Sequence, residues 1–193
     1  MEKISNDETY NAFTGLIFYH GAFYVAYRQG TGHVSLDGKI CVMRLDENMR
    51  WDKFCTIQEP DLDVRDPRLY IFEDRLIILA FSLHYTDPVR KNFEAGDTFI
   101  YQLVETSQPG KNWSGHFDRI AQFSVKEHKD ILWSLAFIGN EYYATGYSWD
   151  LGHYSGRLWK APNYSTKFRG NRNRYRHFTI RRDVVIYPGR WGF

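Results

Sequence analysis

Apolar residues cluster along this chain in short runs that come in pairs, each pair split by two turn-forming residues. Three stretches share the arrangement: GLIFYHGAFYVAYR (15–28), RLYIFEDRLIILAFS (68–82) and SLAFIGNEYYATGYS (134–148). A run, a two-residue polar or glycine-containing turn and a second run make the pattern of a tight β-hairpin. Each hairpin is followed by a loop and a third short run, KICVMRL (39–45), TFIYQLV (98–104) and SGRLWKA (155–161). A turn and an aromatic residue then close the unit, in LDENMRW (45–51), SQPGKNW (107–113) and PNYSTKF (162–168). No long stretch keeps apolar residues at three- and four-residue spacing, and β-branched and aromatic residues dominate the runs, so an all-β fold with little helix is expected.

The closing aromatics Trp51, Trp113 and Phe168 are 62 and 55 residues apart. A period of that size with four strands per unit suggests the blades of a propeller. The reading is therefore a partial β-propeller of three four-stranded antiparallel blades within one domain, at 10–60, 61–126 and 127–180, with a tail at 181–193. Closed propellers use about four to eight blades. Three blades imply a homo-oligomer that closes the ring, an open edge, or a fragment, and each outcome exposes a strand edge.

Composition changes this picture little. The chain has 193 residues, of which 43% are hydrophobic and 18% aromatic, enough for one core and in keeping with half-buried strands. Charge is more informative, because the net +2 is uneven. From Lys167 onward there are eight Lys or Arg against Asp183 alone, so an acidic body carries a basic tail. Arg172, Arg174 and Arg176 alternate there as on one strand face, with aromatics between them, a pattern shared with some nucleic-acid sites. A short basic tail on an acidic body reads as a solvated strand, and no nucleic-acid partner is expected.

MEKISNDETY lacks the charged-then-apolar order of a signal peptide, and no apolar run approaches the roughly 20 residues that span a bilayer. A soluble protein with no membrane partner is expected, cytoplasmic unless a leader is missing. Cys41 and Cys55 fit neither a disulfide framework nor a zinc site. They lie symmetrically about Asn48, where an uninterrupted hairpin would set them opposite one another, within disulfide range; buried free thiols are the favoured reading.

The order YRQGTGHVSLDGKICVMR, DVRDPRL, ILWSLAFIGNEYYATGY, SGRLWKA resembles bacterial sialidase-like proteins, six-bladed propellers of exo-glycosidase type, over residues 10–168. The turns before Trp51, Trp113 and Phe168 look like degenerate Asp boxes, the Ser-x-Asp-x-Gly-x-Thr-Trp hairpins of that family. Asp46 keeps the box aspartate, while Gln108 and Asn163 replace it in the other two. Such boxes are structural, since a short polar side chain bonds its own turn and the Trp packs between sheets. In an up-and-down blade they face away from the second-to-third loops, 28–38, 84–97 and 149–156. The segment 63–69, which leads into an inner strand, shares the face of those loops. The clusters of Arg, Asp and His thus fall on one rim.

The resemblance implies recognition or hydrolysis of a terminal sugar at that rim. Arginine suits a carboxylate through its bidentate fork, so Arg28 and Arg65 are the candidates to hold substrate. Asp37, in the loop where typical sialidases carry their acid/base, and Asp66, in Arg-Asp-Pro, are the candidate proton donors. An arginine paired with Asp63 or Asp66 for loop structure, and a turn aspartate in Leu-Asp-Gly, are the structural alternatives. His33, His84 and His153 occur once per unit and suit sugar hydroxyls; their wide spacing marks no metal site, and no cofactor is expected. Trp133 joins the substrate-binding candidates. Arg181 or Arg182, in TIRRD, is the counterpart of a later-blade arginine. Relatives often have an acidic residue where Gly15 stands and an arginine where Ser134 stands, and their tyrosine nucleophile lies in later blades. The enzymatic alternative is a five-bladed furanosidase, in which the Arg-Asp-Pro aspartate steadies the transition state. The other is a non-catalytic carbohydrate-binding propeller fragment.

Overall fold

In the computed structural model the described residues are 4–5, 7–45, 48–87, 92–94, 97–106, 114–123, 130–138, 141–150, 153–162 and 176–177. They form β-strands and no helix, so the all-β expectation holds. The first sheet is a meander of β1 (Tyr10–Tyr19), β2 (Ala22–Gly30), β3 (Lys39–Leu45) and β4 (Trp51–Ile57). The second is built on β5 (Asp63–Phe72), β6 (Arg75–Asp87), β8 (Thr98–Thr106) and β9 (Ser114–Phe123), also antiparallel neighbours in chain order. A short strand β7 (Asn92–Glu94) pairs with the extended end of β6, and β13 (Arg176–His177) lies parallel to β9. The third sheet holds β10 (Asp130–Ile138), β11 (Glu141–Asp150) and β12 (His153–Pro162). Among the described residues no sheet closes on itself, and no helix is long and apolar enough to cross a membrane.

The hairpins form where the run–turn–run pattern places them. His20 and Gly21 both take left-handed φ, 43° and 77°, between β1 and β2; Glu73 and Asp74 do the same, at 47° and 59°, between β5 and β6. Two successive left-handed residues make the type I′ turn, whose twist matches that of the flanking strands. The segment 84–97 differs from the expected plain loop, because β6 runs on to Asp87 and folds back through β7.

Alternation along the strands sorts side chains onto two faces. Tyr24, Ala26, Ile40 and Val42 of the first sheet meet Leu76, Ile78, Phe99 and Tyr101 of the second in one buried core. Each fully buried Leu or Ile there contributes about 1.5–3 kcal/mol. Gly115 lets β9 approach β4, since a Cβ at that position would come within 2.6 Å of the Phe54 ring. Glu59, between β4 and β5, accepts hydrogen bonds at 2.9 Å from the Tyr101 hydroxyl and from Arg119 Nη1. The third sheet joins through Ile131, which packs with Phe81, Leu83 and Tyr85, and through the Leu135 amide, which donates to the Tyr70 hydroxyl at 3.1 Å.

Trp51 packs against Val25, Tyr27, Cys41 and Met43 on the outer face of the first sheet. Asp46, Gln108, Trp113, Asn163 and Phe168 lie outside the described residues, as do Arg172, Arg174, Arg181 and Arg182. Cys41 and Cys55 are both free. A register shift between Val42 and Met43 pairs Cys41 with Thr56 and Cys55 with Val42, so the two thiols are not opposed.

Candidate functional site

Antiparallel pairing sends the loop 31–38 and the start of β5 to the same end of the sheets, opposite the β1–β2 and β3–β4 turns. The Val64 amide ties them by donating to the Gly38 carbonyl at 3.1 Å. The group that organises this end is Asp63, which is fully buried. Its Oδ1 accepts from Arg28 Nε at 2.7 Å, and its Oδ2 accepts from the Tyr85 hydroxyl at 3.1 Å and from Arg65 Nη1 at 3.4 Å.

Arg28 is 0% exposed, and each of its guanidinium nitrogens is used within the fold. Besides Asp63, it donates to the Gly32 carbonyl at 2.8 Å and to Ser35 Oγ at 2.9 Å. Its role in this geometry is to hold the loop, not to face a ligand. The glycines of the loop have the same cause. A Cβ on Gly38 would lie 1.7 Å from Asp63 Oδ1, and one on Gly30 would lie 2.8 Å from Ser35 Oγ. Only a residue without a side chain admits the buried ion pair at that distance.

Asp37 sits exposed on the loop and accepts from the Thr31 amide and hydroxyl, each at 3.1 Å. Burial is the largest single influence on its carboxyl and pushes it up, but hydrogen bonds from Ser35 and Thr31 together outweigh it and hold the group below the usual carboxylate value. This is the behaviour of a turn aspartate that stays ionised.

Asp66 is the reverse case. It lies in a bulge of β5, where the register shifts between Arg65 and Arg68, and its φ is +52°, in the left-handed region that side chains rarely adopt. It is 7% exposed, and its Oδ1 is buried with no hydrogen-bond partner. Burial raises its carboxyl above the ordinary range, against the opposing pull of Arg65 and Arg68. A buried carboxyl whose protonated form is favoured by burial, at a strained position, is the arrangement functional sites use.

Arg65 lies beside it, with Nε 3.5 Å from Asp66 Oδ2 and without a hydrogen bond of its own. Nη1 donates to the Tyr85 hydroxyl at 2.9 Å, and Nη2 lies 3.5 Å from His33 Nε2. Because an arginine can only donate, His33 Nε2 accepts there; its Nδ1 then carries the proton toward the Tyr10 hydroxyl, 2.8 Å away. The Arg65 guanidinium is 5.1 Å from the Phe13 ring and 5.9 Å from Phe81. Burial also pushes the Tyr85 hydroxyl up, so it stays protonated between Asp63 and Arg65.

The structure thus brings Arg28, His33, Arg65 and Asp66 together around Asp63, with Asp37 on the adjoining turn. His84 is exposed on β6 where it pairs with β7, and the backbone of His153 opens β12. Trp133 occupies a bulge in β10 and is 37% exposed, with Arg68 4.8 Å from its ring. Asp63 entered sequence reasoning only as a loop-structure partner for an arginine, and Tyr85, Phe13 and Arg68 are participants that it did not assign. The alternation of Asp63 and Arg65 in one strand was the available signal for the first. Arg68 had none, because strict alternation sets residues 65 and 68 on opposite faces and only the bulge, which pairs Arg65 with Phe81 and Arg68 with Leu79, restores them to one face.

No family model and no curated protein matches the chain.

Proposed function

We propose that this protein is a sialidase-like, partial β-propeller whose rim recognises and hydrolyses a terminal sugar, with Asp66 as proton donor and Arg65 as the group that holds the sugar. The observation that carries the reading is the Asp66 carboxyl: buried, raised, with one oxygen unpartnered and Arg65 Nε 3.5 Å from the other. A general acid must hold its proton near neutral pH and still reach the leaving oxygen. Asp37, ionised and spent on its own turn, suits that task less well. Three successive antiparallel meanders, each with a bulge in its first strand followed by five paired residues and then the turn, support the blade reading. A second copy would supply the sheets that three blades lack.

Turnover of a fluorogenic sialoside tests the assignment. Asp66→Asn is expected to cost at least about 100-fold in kcat/KM, while Asp37→Asn leaves it within a few-fold. Equal losses in both variants would defeat the choice of Asp66. The non-catalytic reading takes over if the wild-type chain binds a sialoside, loses it in Arg65→Gln, and turns nothing over. An arabinofuranoside reporter in the same assay addresses the furanosidase alternative.

A further inference from the structure

The three hairpins match in register. Leu16 pairs with Val25, Leu69 with Ile78 and Leu135 with Ala144, each pair nine residues apart across a two-residue turn, so positions correspond from sheet to sheet. Where the first two sheets meet, Tyr24, Ala26 and Val42 of the first pack with Leu69, Leu76 and Ile78 of the second. The corresponding positions on the two outer faces are open. Phe23 corresponds to Leu76 and is 39% exposed, where Leu76 is fully buried. Leu158, opposite Thr145, corresponds to Val42, opposite Ala26, and is 40% exposed, where Val42 is fully buried. Alternation sets Leu16, Phe18 and Phe23 on the face of the first sheet turned away from the second, and Ile138 and Leu158 on the face of the third sheet away from buried Ala144. Leu16, Phe18 and Ile138 are each more than half exposed. Ile4 covers the first of these faces at Val25 and Tyr27 and leaves the part beside the β1–β2 turn open.

We propose that these two faces are the halves of one further sheet-on-sheet interface, made between two copies of this chain: the outer face of the first sheet in each copy receives the outer face of the third sheet in the other. The inference rests on the blade reading above. A sheet buries an apolar face against another element, and an exposed one marks an interaction surface. Here the repeat defines the occupant. The first sheet exposes the positions that, in the second, receive a preceding sheet; the third exposes the positions that, in the first, receive a following one. Each chain carries both halves at opposite ends of its sheet order, so the contact is head-to-tail and a two-fold pair makes it twice.

Sedimentation equilibrium of the full chain tests it. The wild type is expected to form a pair, and Phe18→Lys or Ile138→Asp, each of which enters both contacts of that pair, should raise the dissociation constant at least about tenfold. Met49→Asp, at an exposed apolar residue in the β3–β4 turn, should leave it within about twofold. An equal mixture of the Phe18→Lys and Ile138→Asp chains keeps one unaltered contact and sets opposite charges in the other, so it should associate at least about threefold more tightly than either variant alone. The substituted positions are exposed, and Leu16→Lys and Leu158→Asp repeat the test on the same faces if either protein fails to fold. A monomeric wild type, a pair weakened from one face only, or a mixture that recovers nothing overturns the interface. Growth past two copies that both variants abolish keeps the contact and defeats the ring, so that the blade reading fails alone.

Discussion

At the scale of single residues, the rim is governed by what surrounds two aspartates and two glycines. Asp63 is a buried anion shared by two arginines, and Gly38 is the vacancy that admits it. Removing one side of a buried ion pair costs about 3–5 kcal/mol, and a methyl group placed 1.7 Å from Asp63 Oδ1 displaces it outright. Gly38→Ala is therefore expected to lower unfolding free energy by about 3 kcal/mol, measured by urea titration. Gly32→Ala, whose Cβ would meet nothing nearer than 3.8 Å, should stay within about 0.5 kcal/mol of wild type. Asp66 yields a prediction in pH. Because its carboxyl is raised by burial, the native state keeps the proton to higher pH than the unfolded chain does. The stability this contributes is complete below the ordinary carboxylate pKa and is lost as pH rises through the native value. Asn, neutral throughout, does not lose it. From about pH 4 to about pH 8, Asp66→Asn should gain stability relative to wild type; parallel profiles for the two proteins would show that Asp66 is not raised.

At the scale of elements, bulges decide which side chains meet. In β5 the extra residue returns Arg68 to the face of Arg65, and in β3–β4 a register shift separates two cysteines that symmetry about Asn48 would oppose. Cys41 faces the outer cluster with Tyr27 and Met43, while Cys55 packs toward the inter-sheet core, where burial pushes its thiol up to about 12. Both thiols should stay reduced when the folded protein is treated with diamide, and each should react with a thiol reagent only on unfolding. A peptide map with Cys41 cross-linked to Cys55 would contradict the observed register.

At the scale of the whole molecule, the first two sheets are joined by a large apolar core and by polar struts, among them the Arg28–Asp63 pair and Glu59. Glu59 leaves β4 and accepts from Tyr101 and Arg119 on the second sheet. Burial, then the charge of Glu59, raises the Tyr101 hydroxyl, which stays a donor. Glu59→Ala strands both donors, and the expected loss is about 2 kcal/mol, against about 1 kcal/mol for Tyr101→Phe. The difference is readable as an unequal drop in urea midpoint. Solution scattering tests the proposed propeller: closure through a second copy requires a particle of two chains, and a monomer would defeat that closure.

The amino-acid sequence determined what depends on short-range pattern. Runs of β-branched and aromatic residues with two-residue turns sufficed for the strands, and the first two hairpins and the edges of β3 fall where the runs place them, because turn chemistry and face alternation act over a few residues. The sequence also located the rim segments 28–38 and 63–69. It raised a turn role for Asp37 and a loop-structure pairing with Asp63 for an arginine, but it could not decide these against the substrate-binding readings, nor say that Asp66 stands in left-handed backbone with an unmet oxygen. Those outcomes depend on which distant groups share a buried volume. Asp63 lies 35 residues from Arg28 and 22 from Tyr85 in the chain, and their pairing exists only where one sheet packs on the next and water is excluded.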